Sequence, residues 1–162
     1  MRRLLILFSI LFLVGLASPV RADILSFAPS GRVIKVLPLL MDTNNQVSPS
    51  PSLFDRDAYQ FYLLVHSNNV AGMRFDVQWR AFHASKMKLK LRVELKGIGK
   101  DGMPTETNLE QVVTPKFFRR WTSLTLSGAG YKNFGVLAAW RATLWNGNQL
   151  MGEQESFLWS PP

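Results

Sequence analysis

From residue 32 onward, apolar side chains recur at every second position in run after run, the period of a strand with one face buried and the other wet. The clearest case is Met87, Leu89, Leu91, Val93 and Leu95, which alternate with Lys86, Lys88, Lys90, Arg92, Glu94 and Lys96. Phe75, Val77 and Trp79 alternate with Arg74, Asp76, Gln78 and Arg80, and Tyr59, Phe61, Leu63 and Val65 repeat the pattern. No window carries a persuasive helical repeat. The alternation predicts about eight strands, at 32–41, 58–66, 72–81, 86–96, 109–113, 121–127, 136–145 and 149–159. The polar, proline-punctuated stretch Thr43 to Asp57 reads as a loop, and Asp101-Gly102 as a turn within the connection from Gly97 to Asn108. Asn146-Gly147 reads as the type I′ turn of a hairpin, whose two central residues both take positive φ. Gly152 sits where the apolar phase slips between Leu150 and Phe157-Leu158-Trp159, the sign of a bulge. Short strands at this spacing, without helices between them, make a two-sheet sandwich.

The first residues follow a different rule. Arg2 and Arg3 precede the apolar run Leu4 to Leu16, and Ser18, Pro19 and a V-R-A ending at Ala22 close it, which is the anatomy of a cleavable secretory signal. The run is 13 residues long, short of the ~20 that a membrane-spanning helix needs. Cleavage after Ala22 leaves a domain of residues 23–162, a common size for one domain, with no transmembrane segment and a periplasmic or secreted location. The chain has no cysteine, which excludes disulfides, thiolate metal sites, covalent haem attachment and lipid attachment after the leader. Stability therefore rests on packing, for which five Trp, eleven Phe and three Tyr are a generous supply.

Leu124-x-Leu126-x-Gly128-x-x-Tyr131, then Trp140-x-Ala142-x-Leu144 and the Asn146-Gly147 hairpin, resemble the second half of immunoglobulin-like and fibronectin-type-III-like sandwiches. The whole pattern is similar to exported bacterial proteins of that kind. The resemblance implies an all-β fold, a single immunoglobulin-like antiparallel β-sandwich of about 7–8 strands. The cysteine pair of the family is absent.

Charge bears on partners. Arg2, Arg3 and Arg21 belong to the leader, so the 19 cations of the full chain become 16 in the mature one, against 11 carboxylates, a balance of +5. Such a surface favours an acidic protein, glycan or lipid surface, and nucleic acid is not expected as a partner after export. Lys86, Lys88, Lys90 and Arg92 project from one side of one strand, spaced ~6.5–7 Å apart. If that strand pairs with 72–81, as consecutive strands usually do, Arg74 and Arg80 join the face, relieved by Asp76 and Glu94 alone. The face is either a contact surface for an envelope protein or an anionic surface, or a lysine-rich edge that resists strand pairing. Trp145, at the hairpin tip, is a second candidate contact. With Trp159 it forms either a stacking platform for sugars or a cross-strand pair. Phe117-Phe118-Arg119-Arg120-Trp121 reads as the approach to a strand, with Phe117 or Phe118 capping one end of the core.

Catalytic chemistry is sparsely supplied. His66 and His83 are the two histidines and form no metal-spaced pair. No G-x-S-x-G is present. Gly128-Ala129-Gly130 is not followed by a predicted helix and so lacks a phosphate cradle. Asp55 and Asp57 suit turn chemistry, and Glu153 and Glu155 share one face of the last strand, where they could in principle act as an acid and base pair. No catalytic, metal or cofactor residue is assigned. The expectation is an exported, non-catalytic binding or adaptor protein of the cell envelope, touching its partner through Arg74, Arg80, Lys86, Lys88, Lys90, Arg92 and Trp145. The alternatives are a glycan- or anionic-surface-binding module, a sandwich edge that accepts a partner strand, or a hydrolase without a recognisable motif.

Overall fold

The computed structural model describes residues 28–84, 86–116 and 118–160. The leader with its processing point after Ala22, and Phe117, lie outside the described residues. Seven strands are formed: β1 Ser30–Asp42, β2 Val70–Phe82, β3 Leu89–Ile98, β4 Pro104–Val113, β5 Arg120–Ser127, β6 Val136–Asn146 and β7 Gln149–Glu155. Two helices join them, α1 Leu53–Val65 between β1 and β2, and α2 Gly128–Phe134 between β5 and β6.

The strands make two antiparallel sheets, ordered β1-β2-β5 and β4-β3-β6-β7. This is the immunoglobulin-like arrangement, with the first, second and fifth strands in one sheet and the third, sixth and seventh in the other. Its core is the product of the period-two alternation. Met73, Phe75, Val77, Trp79 and Ala81 of β2 face inward, and Leu89, Leu91, Val93 and Leu95 of β3 with Ala142 and Leu144 of β6 meet them from the other sheet. Phe75, Val77, Leu89, Leu91 and Val93 are completely removed from solvent. Trp79 brings its one polar atom inside with a partner, Nε1 donating to Thr122 Oγ1 at 2.9 Å.

Several expectations are corrected. The segment 58–66 is not a strand but the second half of α1. Ser52 caps this helix by accepting from the Asp55 amide, the run to Leu64 contains no β-branched residue, and the loop after β1 therefore ends at Ser52 rather than Asp57. Gly128 opens a short helix after all, and Tyr131 within it packs against the core. Strands 72–81 and 86–96 do not pair, because β2 and β3 belong to different sheets. The strand expected at 109–113 extends back to Pro104 as β4, so the turn at Gly102 joins two long strands, and the last strand stops at Glu155.

The β6–β7 hairpin is present with Asn146 opposite Gln149, so its central residues are Gly147 and Asn148. Gly147 alone takes positive φ, at 56°, which is the pattern of a type II′ turn rather than type I′. The bulge lies beside Gly152, with Met151 as the extra residue between the pairs Leu144–Gly152 and Trp145–Leu150. Gly152 has a second reason to be glycine. A Cβ there would come 2.7 Å from Gly31 O, since β7 runs directly against β1 where the two sheets meet.

Further along, β1 outruns β7, and its free edge is covered by a side chain. Gln60 of α1 accepts from Leu40 N–H at 2.7 Å through Oε1, and its Nε2 donates to Leu40 O and Val47 O, each at 2.9 Å. One amide thus makes the bonds of a missing strand and ties α1 to the sandwich. Beside it, the Asp42 carboxylate accepts from the amides of Asn44 and Gln46 and from Tyr59 Oη, all at 2.8 Å. The Gln46 amide foremost, with the Tyr59 hydroxyl, holds its pKa below the usual aspartate value, against the opposing effect of burial.

Two predictions follow from this edge. Gln60→Ala leaves the Leu40 amide and carbonyl uncovered and is expected to cost about 1–3 kcal/mol of unfolding free energy in urea titration. Because Asp42 has a depressed pKa in the fold, its contribution is present above the ordinary aspartate range and is lost as pH falls through the lower folded value. Asp42→Asn should therefore be less stable than the parent at neutral pH. That gap should narrow on acidification, as read from melting temperature against pH.

Candidate functional site

Three surfaces carry chemistry: the outer face of each sheet and the end of the sandwich that holds α1. On the outer face of β4-β3-β6-β7 stand Lys90, Arg92, Glu94 and Lys96, in register with Glu106, Asn108 and Glu110 of β4 and with Arg141, Thr143 and Trp145 of β6. Glu110 accepts from Arg92 at 2.6 Å and lies 3.0 Å from Lys90 Nζ, while Arg141 bonds Glu94 at 2.9 Å. Lys90, then Arg92, hold the Glu110 carboxyl below its usual pKa despite the cost of burial. Counting Glu153 and Glu155 of β7, opposite Thr143 and Arg141, four cations on this face meet five carboxylates. The strand that looks most basic in the sequence is therefore neutralised by its neighbours. Lys86 and Lys88 fall in the exposed turn before β3 rather than on the strand.

The two tryptophans of this face do not meet. Trp145 is half-buried near the hairpin, with Nε1 shielded and without an acceptor. Trp159 lies at the far end of β3 and β6, under Lys96 Nζ at 4.3 Å and the Arg141 guanidinium at 4.9 Å. Its ring is stacked with these cations and not with Trp145, so the cross-strand pair gives way to this arrangement.

The outer face of β1-β2-β5 carries the opposite balance. Arg74, Asp76, Gln78 and Arg80 of β2 point outward, and the register sets Arg32 beside Arg80, Lys35 beside Gln78, and Trp121 on the other side of Gln78. Asp76 is the one carboxylate among these residues, and Arg74 at 2.9 Å and Ser123 at 2.6 Å already occupy it. Arg32, Lys35, Arg80 and Arg119 form no ion pair among the described residues. Gln78, Arg80, Phe118, Arg119 and Trp121 line a hollow of about 570 Å³. Phe118 is exposed there and does not cap the core. Arg74 and Arg80 are thus separated from Lys90 and Arg92 by the thickness of the sandwich. Arg32, Lys35 and Arg119 were absent from the residues expected at the contact.

At the end holding α1, the helix is oriented against the usual rule. It turns Tyr59, Gln60 and Leu63 toward the sandwich, while Phe54 is 82% exposed, Phe61 68% and Leu64 69%. Val136, at the start of β6, is 72% exposed beside them. Between the helix and β6 runs a groove of about 510 Å³, walled by Leu40, Phe61, Leu63, Leu64, Met73, Tyr131, Val136 and Leu137, with Gln60 and Ser67 as its polar members. The Tyr131 hydroxyl has its pKa raised by burial. A contiguous apolar surface of this kind marks an interaction site more often than a solvated one. The sequence signal for it was the cap, Ser52-x-x-Asp55, since a helix start there puts Phe54, Phe61 and Leu64 on a common side.

The catalytic candidates are dispersed. His66 ends α1, stacked on Tyr62 at 4.3 Å, and His83 follows β2 at the opposite end, with φ of 54°. Asp55 accepts from Ser50 Oγ at 2.5 Å, and Asp57 pairs with Arg56 at 2.7 Å. No group of three or more metal-ligating side chains converges among the described residues. No described helix is long and apolar enough to cross a membrane.

No family model matches this chain, and no curated protein does. Among solved structures it is similar to an immunoglobulin-like protein from Pseudomonas aeruginosa at 10% identity, over 78% of this chain and 94% of that one, with a TM-score of 0.35.

Proposed function

We propose that this protein is an exported, non-catalytic adaptor of the cell envelope that holds an apolar polypeptide segment in the groove between α1 and β6. The observation that carries the reading is the orientation of α1, whose outward side presents Phe61 and Leu64 to solvent in one groove with Val136, with Phe54 exposed two turns earlier. A helix secured by Gln60 and Asp42 to the edge of β1 is rigid enough to present such a face without collapsing onto it. The charge at this end favours a protein segment over an anionic bilayer. The connections here carry Asp55, Asp57 and Asp101 against Arg56, Lys100 and Lys132, so headgroups would gain no net attraction. The scattering of His66, His83, Asp55 and Asp57, with no convergent cluster among the described residues, supports binding rather than turnover.

Selection from a displayed library of short peptides tests the reading. Apolar segments are expected to be enriched. Burying one phenylalanine ring is worth about 1.5–3 kcal/mol, so Phe61→Asp with Leu64→Asp should weaken the selected peptides at least tenfold. Both side chains are exposed, so circular dichroism and melting temperature should stay at parent values. Enrichment of charged peptides, or apolar peptides indifferent to the double substitution, would sink the proposal. Saturable binding of a free fatty acid with no peptide enriched would do the same and convert the groove to a lipid carrier.

A further inference from the structure

The end opposite α1 has a character of its own. Three connections meet there, 83–88, 114–119 and 147–148, and they carry Lys86, Lys88, Lys116 and Arg119 without a single carboxylate. Arg120 opens β5 at the same end, and Arg32, Lys35 and Arg80 stand on the adjoining outer face of β1-β2-β5. None of these eight cations forms an ion pair among the described residues. Among the described residues the carboxylates are elsewhere: Glu110 is consumed by Lys90 and Arg92, Asp76 by Arg74 and Ser123, and the rest line the other sheet or the α1 end.

Two details distinguish this end from a merely soluble surface. Arg32 and Arg80 are directly opposed across the β1–β2 ladder, a like-charge pairing that disfavours the sheet unless an anion lies between them. Arg80 Nε is also shielded from solvent with no acceptor of its own, while its guanidinium carbon lies 4.4 Å from the centroid of the Phe82 ring. Beside these cations, Phe82, Phe118 and Trp121 are exposed, Trp121 to 48%. Cations interleaved with exposed aromatic rings match the headgroup layer of a bilayer, where rings settle at the apolar boundary and lysine or arginine meets phosphate. Residue 28 also reaches β1 at this end, because Ser30 pairs with Phe82.

We propose that this end is a docking surface for an anionic lipid bilayer, with Arg32, Arg80 and Arg119 meeting headgroup phosphates and Trp121 and Phe118 entering the interface. Docked in this way, the protein presents its α1 end away from the membrane. The inference is independent of what the apolar groove holds.

The test is co-sedimentation of the purified protein with vesicles of phosphatidylcholine alone and with phosphatidylglycerol added, at low and at physiological salt. The quantity read is the difference between the two vesicle types, which cancels any contribution from an apolar leader. Anionic vesicles should bind and neutral ones should not, with the difference shrinking as salt rises. One cation near an anionic surface is worth roughly fivefold in partition, so Arg32→Gln with Arg119→Gln should weaken anionic binding more than tenfold. Both are exposed, which keeps the variant foldable, and Arg80→Gln should add to the loss. Lys90→Gln with Arg92→Gln removes the same charge from a neutralised face and should change binding far less. Equal binding to both vesicle types would overturn the proposal, as would equal losses from the two double variants. Retention on an acidic polysaccharide without anionic vesicle binding would overturn it in favour of a glycan.

Discussion

Everything in this molecule depends on a core closed without covalent help. The five inward residues of β2, from Met73 to Ala81, are pressed against Leu89 to Leu95 of β3 and the inner side of β6. A chain with no cysteine has to obtain its stability from that burial, and the alternation delivers it because strand side chains point to opposite faces. The same geometry leaves the outer faces and the ends free to differ. They do differ, in charge and in apolarity.

The sheet edges show how the fold manages its one exposed liability. β1 is an edge strand of 13 residues, and it is covered twice. Near its start, Gly31 lies against Gly152 of β7, so close that a Cβ on Gly152 would come 2.7 Å from the Gly31 carbonyl oxygen. Near its end, the Gln60 amide makes the hydrogen bonds that another strand would make. That amide explains why a helix is present in an otherwise all-β chain. α1 is an edge cover, and its inner side combines the polar Gln60 and Tyr59 hydroxyl, which meet the end of β1, with the fully buried Leu63. Phe61 and Leu64 lie outward of these, where they form one wall of the groove.

Charge is partitioned by the same topology. Placing β2 and β3 in different sheets separates Arg74 and Arg80 from Lys90 and Arg92, and gives the two sets different neighbours. β4 brings Glu106 and Glu110 to the lysine strand and neutralises it. β1 brings Arg32 and Lys35 to β2 and reinforces it. A modest net charge is in this way concentrated at one end, while the α1 end stays balanced and apolar. The two contacts proposed above, a membrane at one end and an apolar segment at the other, would use these properties without interference.

Much of this was legible in the residues alone. Alternation located the strands, with Phe75-Val77-Trp79 and Leu89 to Leu95 as inward rows, and the Asn146-Gly147 signal located the last hairpin, because both are local consequences of backbone geometry. The segment Tyr59 to Val65 was misread since its apolar spacing satisfies a strand as well as a helix, and the choice was made by the cap at Ser52 and by Gln60 reaching Leu40, 20 residues away. The basic surface was misplaced for a deeper reason. Whether a row of lysines is bare or neutralised depends on which strand lies alongside, and that pairing joins residues 18 apart for Arg92–Glu110 and 47 apart for Glu94–Arg141. Sequence alone determined the faces of individual strands, whose period is set within a few residues. The tertiary structure decided which faces became neighbours, and with them the positions of the basic end and the apolar groove, because charge balance and solvent exposure are properties of assembled surfaces.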